Sequence, residues 1–330
     1  PEEFLRRRFA GDFVIEAVDS DVGMHMNSAV DVRLEDSALA YERFHQDWDA
    51  RVTREAGRLR AAPPDLVLSN IAYLPLAAAA RAGIRAVAMC SLNWADIYTH
   101  YFSARPEAAR IEQEMRAAYR AAEMFLRLEP GMPMSDLANS ITIGPVATVG
   151  QDRRAEIFRK LGLAPDTRLV MLSTGGIELR LPVERWPAAS NIHWLVPAAW
   201  TVRRAGFSDM EALGLPFTDV LRGCDAIIGK PGYGTFAEAG CNAVPMLYVP
   251  RGDWPEAPYL IEWLAQHGRT RAIDIEALTR GDVEVDLQAL WSLAAPPATE
   301  PRGIKQAVAL LDDALAQASR SASSVPARRQ

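Results

Sequence analysis

The stretch Cys224 to Pro250, CDAIIGKPGYGTFAEAGCNAVPMLYVP, constrains this chain more than any other. Ala226, Ile227 and Ile228 form a short apolar run, Gly229 to Gly234 a glycine-rich loop, and Thr235 to Asn242 a helix-compatible segment. Val244 to Val249 then returns to strand-like composition. A strand, loop, helix, strand unit feeds the N–H groups of its loop into a helix N-terminus, where orphan donors and the helix dipole favour an anion. Gly232 and Gly234 lack a Cβ, so the backbone there can approach a ligand closely. Thr235 is read as the N-cap, with Glu238 three residues on completing a Thr-x-x-Glu capping box. Lys230 can reach a phosphate as a point charge, in a chain whose basic residues are nearly all Arg; the plainer reading is a solvated loop lysine.

The rest of the sequence sets the frame for this unit. A length of 330 residues exceeds a usual single core, so two domains are expected, each able to bury its own core. The 36 Lys and Arg against 42 Asp and Glu give −6, with no basic run longer than Arg6 to Arg8, which argues against nucleic acid as a partner. Cys90, Cys224 and Cys241 lie far apart, lack CxxC spacing and sit in or beside apolar runs, as reduced thiols of a cytoplasmic protein would. No apolar run reaches the roughly 18 residues of a membrane span, and no signal-peptide pattern opens the chain. The histidines show no metal spacing and there is no HExxH, so no metal and no cofactor is invoked.

Along the chain, Asp12 to Val18 reads as a strand and Asp19 to Asn27 as a loop carrying His25. Leu39, Phe44, Trp48 and Val52 predict one long amphipathic helix over Glu35 to Arg60, stopped by Pro63-Pro64. Asp65 to Leu68, Ala86 to Met89, Met124 to Leu128 and Ile141 to Val146 read as strands, separated by helices over Tyr73 to Ala82 and Pro106 to Arg120. This alternation predicts an α/β class built of parallel βαβ units. Ligands collect at the C-terminal ends of such strands, which puts Ser69, Asn70, Ser91, Asn93 and Trp94 on the functional edge.

A fresh strand over Thr167 to Leu172, followed at once by Ser173-Thr174-Gly175-Gly176, places the boundary near Gly150. The expected division is 1–150, 151–318 and a disordered tail at 319–330. His193 to Val196, Phe217 to Arg222, Pro258 to Gln266 and Val285 to Leu293 complete the second half. Ile304, Val308, Leu311 and Leu315 give the last helix an apolar stripe.

The run Gly-x-Gly-Thr-x-x-Glu, followed by an apolar strand ending in Pro250, resembles the donor half of GT-B glycosyltransferases, such as the lipid-linked N-acetylglucosamine transferase of cell-wall synthesis and the UDP-glycosyltransferases. GKPGYGT, VPRGDWPEAPYL and SLNWADIYTHY are similar to the glycosyltransferase-like N-terminal half of plant arabinokinases and its bacterial stand-alone relatives, through most of residues 12 to 270. The resemblance implies two Rossmann-like domains facing a central cleft, with a final helix crossing back onto the first. It implies a metal-independent transferase that moves a sugar from a nucleotide-sugar donor to an acceptor that the sequence leaves open. The donor would lie on Gly175, Gly176, Lys230, Gly232, Tyr233, Gly234 and Thr235, its ribose on Glu238 and its sugar near Asp253 and Glu256. Trp254 offers a stacking face or a packing plug.

Across the cleft, Asn93, Trp94 and Tyr98 are the acceptor candidates, with Asp96 and His25 as bases. A capping Asn and Asp with two packing aromatics is the plainer reading of that cluster. Relatives open on a strand leading into a Gly-His-Gly loop, and none stands before Asp12; the chain starts on Pro1, as though an earlier segment had been removed or left out. The arabinokinase kinase half, with its glycine-serine ATP loop, is also absent, so kinase activity is not implied. Two rivals remain: a catalytically silent sugar-nucleotide binder, and a dinucleotide-binding oxidoreductase, since Gly232-x-Gly234-x-x-Ala237 with Asp253 beyond fits that pattern too.

Overall fold

The computed structural model describes residues 2, 5–6, 9, 11–28, 31–173, 180–189 and 191–323. A small antiparallel hairpin, β1 (Met26–Ser28) and β2 (Asp31–Val32), precedes two parallel sheets. The first sheet carries β3 (Val67–Ser69), β4 (Ala86–Cys90), β5 (Met124–Leu128) and β6 (Ser140–Ile143), side by side in chain order. The second carries β7 (Arg168–Leu172), β8 (Ile192–Val196), β9 (Phe207–Asp209), β10 (Ala226–Gly229), β11 (Met246–Tyr248) and β12 (Thr270–Ala272), in the spatial order β12-β11-β10-β7-β8-β9.

Both sheets are covered on two faces, and the period of two decides which residue goes where. In β4 and β5, Ala86, Ala88 and Phe125 face the helices between residues 34 and 121, whereas Val87, Leu126 and Leu128 face the terminal helix Gly303–Ser323. In the second sheet, Val170, Leu172, Ala226, Ile228 and Leu247 bury one face under Trp186, Trp200 and the helices Ile275–Arg280 and Glu284–Trp291. Leu169, Met171, Ile227 and Met246 bury the other, against Arg154–Leu161, Phe217–Arg222, Tyr233–Cys241 and Ala257–His267. The chain winds outward from β7 to β9, then returns to β10 and winds the opposite way. A topological switch point therefore lies between β7 and β10, and a crevice opens there at the strand C-termini.

Four sequence expectations need correction. Asp12 to Val18 forms no strand: the segment is largely exposed and does not pair with β3, which stays the outer strand of its sheet. Glu35 to Arg60 is two helices, Leu34–Gln46 and Trp48–Ala61, broken at Asp47 with φ −112° and ψ 33°. The break lets Phe44 and Trp48 close around His45 and Tyr73. The terminal helix buries Ala307 and Ala314, with Leu310 and Leu311 partly packed, while Ile304, Val308 and Leu315 are exposed. That helix also runs to Ser323, past the start of the expected tail, and 324–330 lie outside the described residues.

The segment joining the sheets is tightly held. Asn242 accepts from Gly150 N at 2.9 Å and donates to Thr148 O at 2.9 Å, and Asp219 accepts from Gln151 N at 2.8 Å. A Cβ on Gly150 would stand 2.1 Å from Thr218 O, so glycine is required there for close approach. No described helix is long and apolar enough to cross a membrane.

Candidate functional site

The glycine loop sits at the switch point. Gly229 ends β10 so close to β7 that a Cβ would stand 2.3 Å from Ser173 O. The helix then opens at Tyr233, with Gly232, three residues before the expected Thr235, as N-cap at φ −156° and ψ 138° and no side-chain cap bond. Thr235 is accordingly inside the first turn, and the expected Thr235–Glu238 capping box does not form. Glu238 lies half-buried near the middle of the helix. The first-turn N–H groups of Tyr233, Gly234 and Thr235 have no earlier turn to donate to, and Gly234 faces open space. Tyr233 turns the other way: its ring joins the apolar packing beneath and its hydroxyl accepts from Val146 N at 2.8 Å. Gly175 and Gly176 lie outside the described residues.

The loop after β11 brings the two halves together. Glu256 is 4 % exposed and accepts from Ser91 Oγ, at the end of β4, at 2.6 Å, and from Trp254 Nε1 at 3.3 Å. Burial pushes its carboxyl up, and the Ser91 hydrogen bond partly opposes this. Trp254 is buried with Arg251 stacked on its ring at 3.7 Å, so it acts as the packing plug and has no free face. Asp253 is exposed and reaches the first half as well, accepting from Tyr101 Oη at 3.1 Å and standing 3.7 Å from His100 Nε2. Lys230 is half-buried; burial lowers its pKa first, and the neighbouring Arg251 guanidinium lowers it further.

On the first-half side, the candidates take up structural duties. Asn93 caps the helix Trp94–Phe102 by accepting from Asp96 N at 2.8 Å, and its amide donates to the Asp96 carboxylate at 2.7 Å. Asp96 also pairs with Arg116 at 2.9 Å. Trp94 is half-buried and donates from Nε1 to Asp21 at 2.7 Å. Tyr98, expected to face the acceptor, is 1 % exposed and packs on Tyr41 and Phe102, because its position falls on the core side of the helix. His25 is exposed next to the hairpin. Asp96 nonetheless borders a cleft of about 570 Å³ between the halves, which Arg116, Gly252, Asp253, Trp254 and Tyr259 also line. A larger cavity of about 720 Å³, around Lys160 and Arg203 at the outer edge of the second sheet, lies away from the glycine loop.

Sequence reasoning missed Arg251 and Asp21. Arg251 follows Pro250 directly and is 8 % exposed, a burial that single-residue patterns do not forecast for an arginine. Asp21 lies in an irregular segment, where burial pushes its carboxyl up despite the Trp94 hydrogen bond. Burial also pushes the Cys90 and Cys241 thiols up to about 11, which leaves them without thiolate character.

No family model matches the chain. It is 30 % identical over 215 residues to L-arabinokinase of Arabidopsis thaliana, a match that takes in 61 % of this chain and 20 % of that protein. Among solved structures, the kitacinnamycin glycotransferase superposes with a TM-score of 0.56 at 16 % identity, over 86 % of this chain and 78 % of the other. The spinosyn forosaminyltransferase SpnP gives 0.55 at 18 %, over 84 % and 83 %. A Listeria monocytogenes protein named for UDP-N-acetylglucosamine 2-epimerase activity gives 0.52 at 16 %, over 82 % and 80 %. The chain therefore has the GT-B fold, two Rossmann-like domains in the arrangement of the glycosyltransferases, with sequence similarity to a stretch of L-arabinokinase.

Proposed function

We propose that the chain binds a nucleotide-sugar and moves its sugar to an acceptor hydroxyl. The observation that carries this reading is the glycine loop at the β7/β10 switch point, which opens the helix Tyr233–Cys241 toward the domain interface. In the transfer, the acceptor oxygen bonds to the anomeric carbon, the bond from that carbon to the diphosphate breaks with its electron pair, and the acceptor proton passes to a base. The loop amides, the helix dipole and Lys230 stabilise the leaving diphosphate. The donor ribose lies toward Glu238 and its sugar toward Asp253 and Glu256. Asp96, on the opposite side of the cleft, is the base.

The test is a thermal-shift screen of UDP-, GDP- and TDP-sugars against NAD and NADP, followed by calorimetry on Glu238→Ala. A charge-assisted hydrogen bond to the ribose is worth about 1.5–3 kcal/mol, so the variant loses that much donor affinity while staying folded. A shift with NAD alone would replace this reading with the oxidoreductase one.

A second reading is a silent sugar-nucleotide binder, favoured by the way Asp96 is held. Its carboxylate is shared between Arg116 and Asn93, so its oxygens are already engaged by donors of this chain rather than held free for an acceptor hydroxyl. A protein that binds donor yet neither transfers nor hydrolyses it, with a broad acceptor panel supplied, decides for the binder.

A further inference from the structure

The loop after β11 holds a cation that the fold leaves unsatisfied. Arg251 is 8 % exposed, yet its Nε has no hydrogen-bond partner, and its Nη2 meets only Met26 Sδ, at 3.8 Å. One face of the guanidinium is stacked on Trp254, which leaves its N–H edge as the unused part. Lys230 is close enough to Arg251 to feel its charge, and its Nζ lies 3.5 Å from where a Cβ on Gly232 would stand. Among the described residues, Lys230 donates no hydrogen bond and neither cation stands in an ion pair. Glu256 is the one carboxylate that both sense, and its oxygens are taken by Ser91 and Trp254. Two cations against one carboxylate leave positive charge in a poorly hydrated place, an arrangement that is costly without a further anion.

We propose that Arg251 and Lys230 form an anion subsite at the domain interface, which grips a phosphoryl or carboxylate group of the bound donor. The subsite rests on the donor reading and extends it to the residues just past the glycine loop. A guanidinium edge suits a planar or tetrahedral oxyanion through paired N–H bonds, which an ammonium cannot reproduce. The acidic group comes either from the diphosphate itself or from an acid on the donor sugar.

Calorimetric titration of inorganic pyrophosphate, UDP, UDP-glucose and UDP-glucuronate into the wild-type chain, Arg251→Gln, Arg251→Lys and Lys230→Gln separates these sources. Arg251→Gln weakens binding roughly ten- to a hundredfold, Arg251→Lys restores part of it, and Lys230→Gln weakens it in the same direction. Loss for pyrophosphate and UDP assigns the subsite to the diphosphate, whereas loss confined to UDP-glucuronate assigns it to the sugar. Thermal unfolding identifies which variants are folded, and Lys230→Gln carries the test should Arg251→Gln not fold. A folded Arg251→Gln or Lys230→Gln that binds all four probes as the wild type does overturns the proposal and leaves the donor reading standing. If wild type binds pyrophosphate but neither these probes' uridine nucleotides nor any GDP- or TDP-sugar, and the variants lose pyrophosphate, the subsite stands and the donor reading falls. Wild type binding none of the four, nor any GDP- or TDP-sugar, overturns both.

Discussion

His45 is 1 % exposed, and its environment turns burial into a dependence on pH. Its Nδ1 lies 2.7 Å from Glu114 Oε2 and its Nε2 3.1 Å from Tyr73 Oη, with Arg110 and Arg51 also near. Desolvation lowers its pKa from the ordinary 6.5, and Glu114 only partly opposes that. The folded state therefore binds fewer protons than the unfolded chain just below pH 6.5, so this contribution is complete above that value and is lost as pH falls through the folded pKa. His45→Gln should flatten the fall in denaturant midpoint between about pH 7.5 and pH 5.5. His193, whose pKa burial also lowers, keeps some slope in the variant. Equal slopes in wild type and variant would remove His45 from the account. At this scale the sequence was legible where a residue type has one dominant local use: Gly83 ends a helix at φ 72°, and Asn93 caps one. It was less legible for Tyr98, Arg251 and Glu256, whose roles depend on what the other half of the molecule places beside them.

Among elements, β4, β5, β7, β8 and β10 follow their apolar runs closely, because a strand buried on both faces needs a continuous hydrophobic segment. The terminal helix shows the limit of pattern reading. Of the stripe Ile304, Val308, Leu311 and Leu315, only Leu311 joins the face holding Ala307 that packs on the first sheet, while the other three are exposed. Close approach explains the choice: a Cβ on Gly303 would stand 2.2 Å from Gly144 O, and Gly144 N donates to Gln306 at 2.7 Å. A larger side chain would not fit at Gly303, where the backbones are so near each other. Ala314→Leu should therefore overpack and cost about 1–3 kcal/mol in chemical denaturation. Val308→Ala, on the exposed face, should stay within about 0.5 kcal/mol. The opposite ranking would put the wrong face on the sheet.

At the scale of the whole molecule, the two domains meet through directed polar contacts as well as apolar ones. Tyr233 accepts from Val146, Asp253 from Tyr101, and Glu256 from Ser91. The contact from Ser91 to Glu256 is the most buried of the three, and it joins the C-terminal end of β4 to the loop that carries Arg251. Ser91→Ala removes a donor from a carboxylate that burial already disfavours, at a cost of about 1–3 kcal/mol. The arrangement with the halves together loses that energy, whereas an opened one, with Glu256 in water, does not. The equilibrium therefore shifts toward opening, and if the donor binds the closed arrangement, its apparent affinity falls by the fraction of closed molecules lost. Small-angle scattering should record a larger radius of gyration for Ser91→Ala than for wild type, with weaker donor binding in calorimetry. A saturating donor should bring the radius back to the wild-type value, since it binds the closed form and draws the population to it. An unchanged radius together with unchanged affinity would mean that the contact fastens a junction which the remaining interface already holds shut.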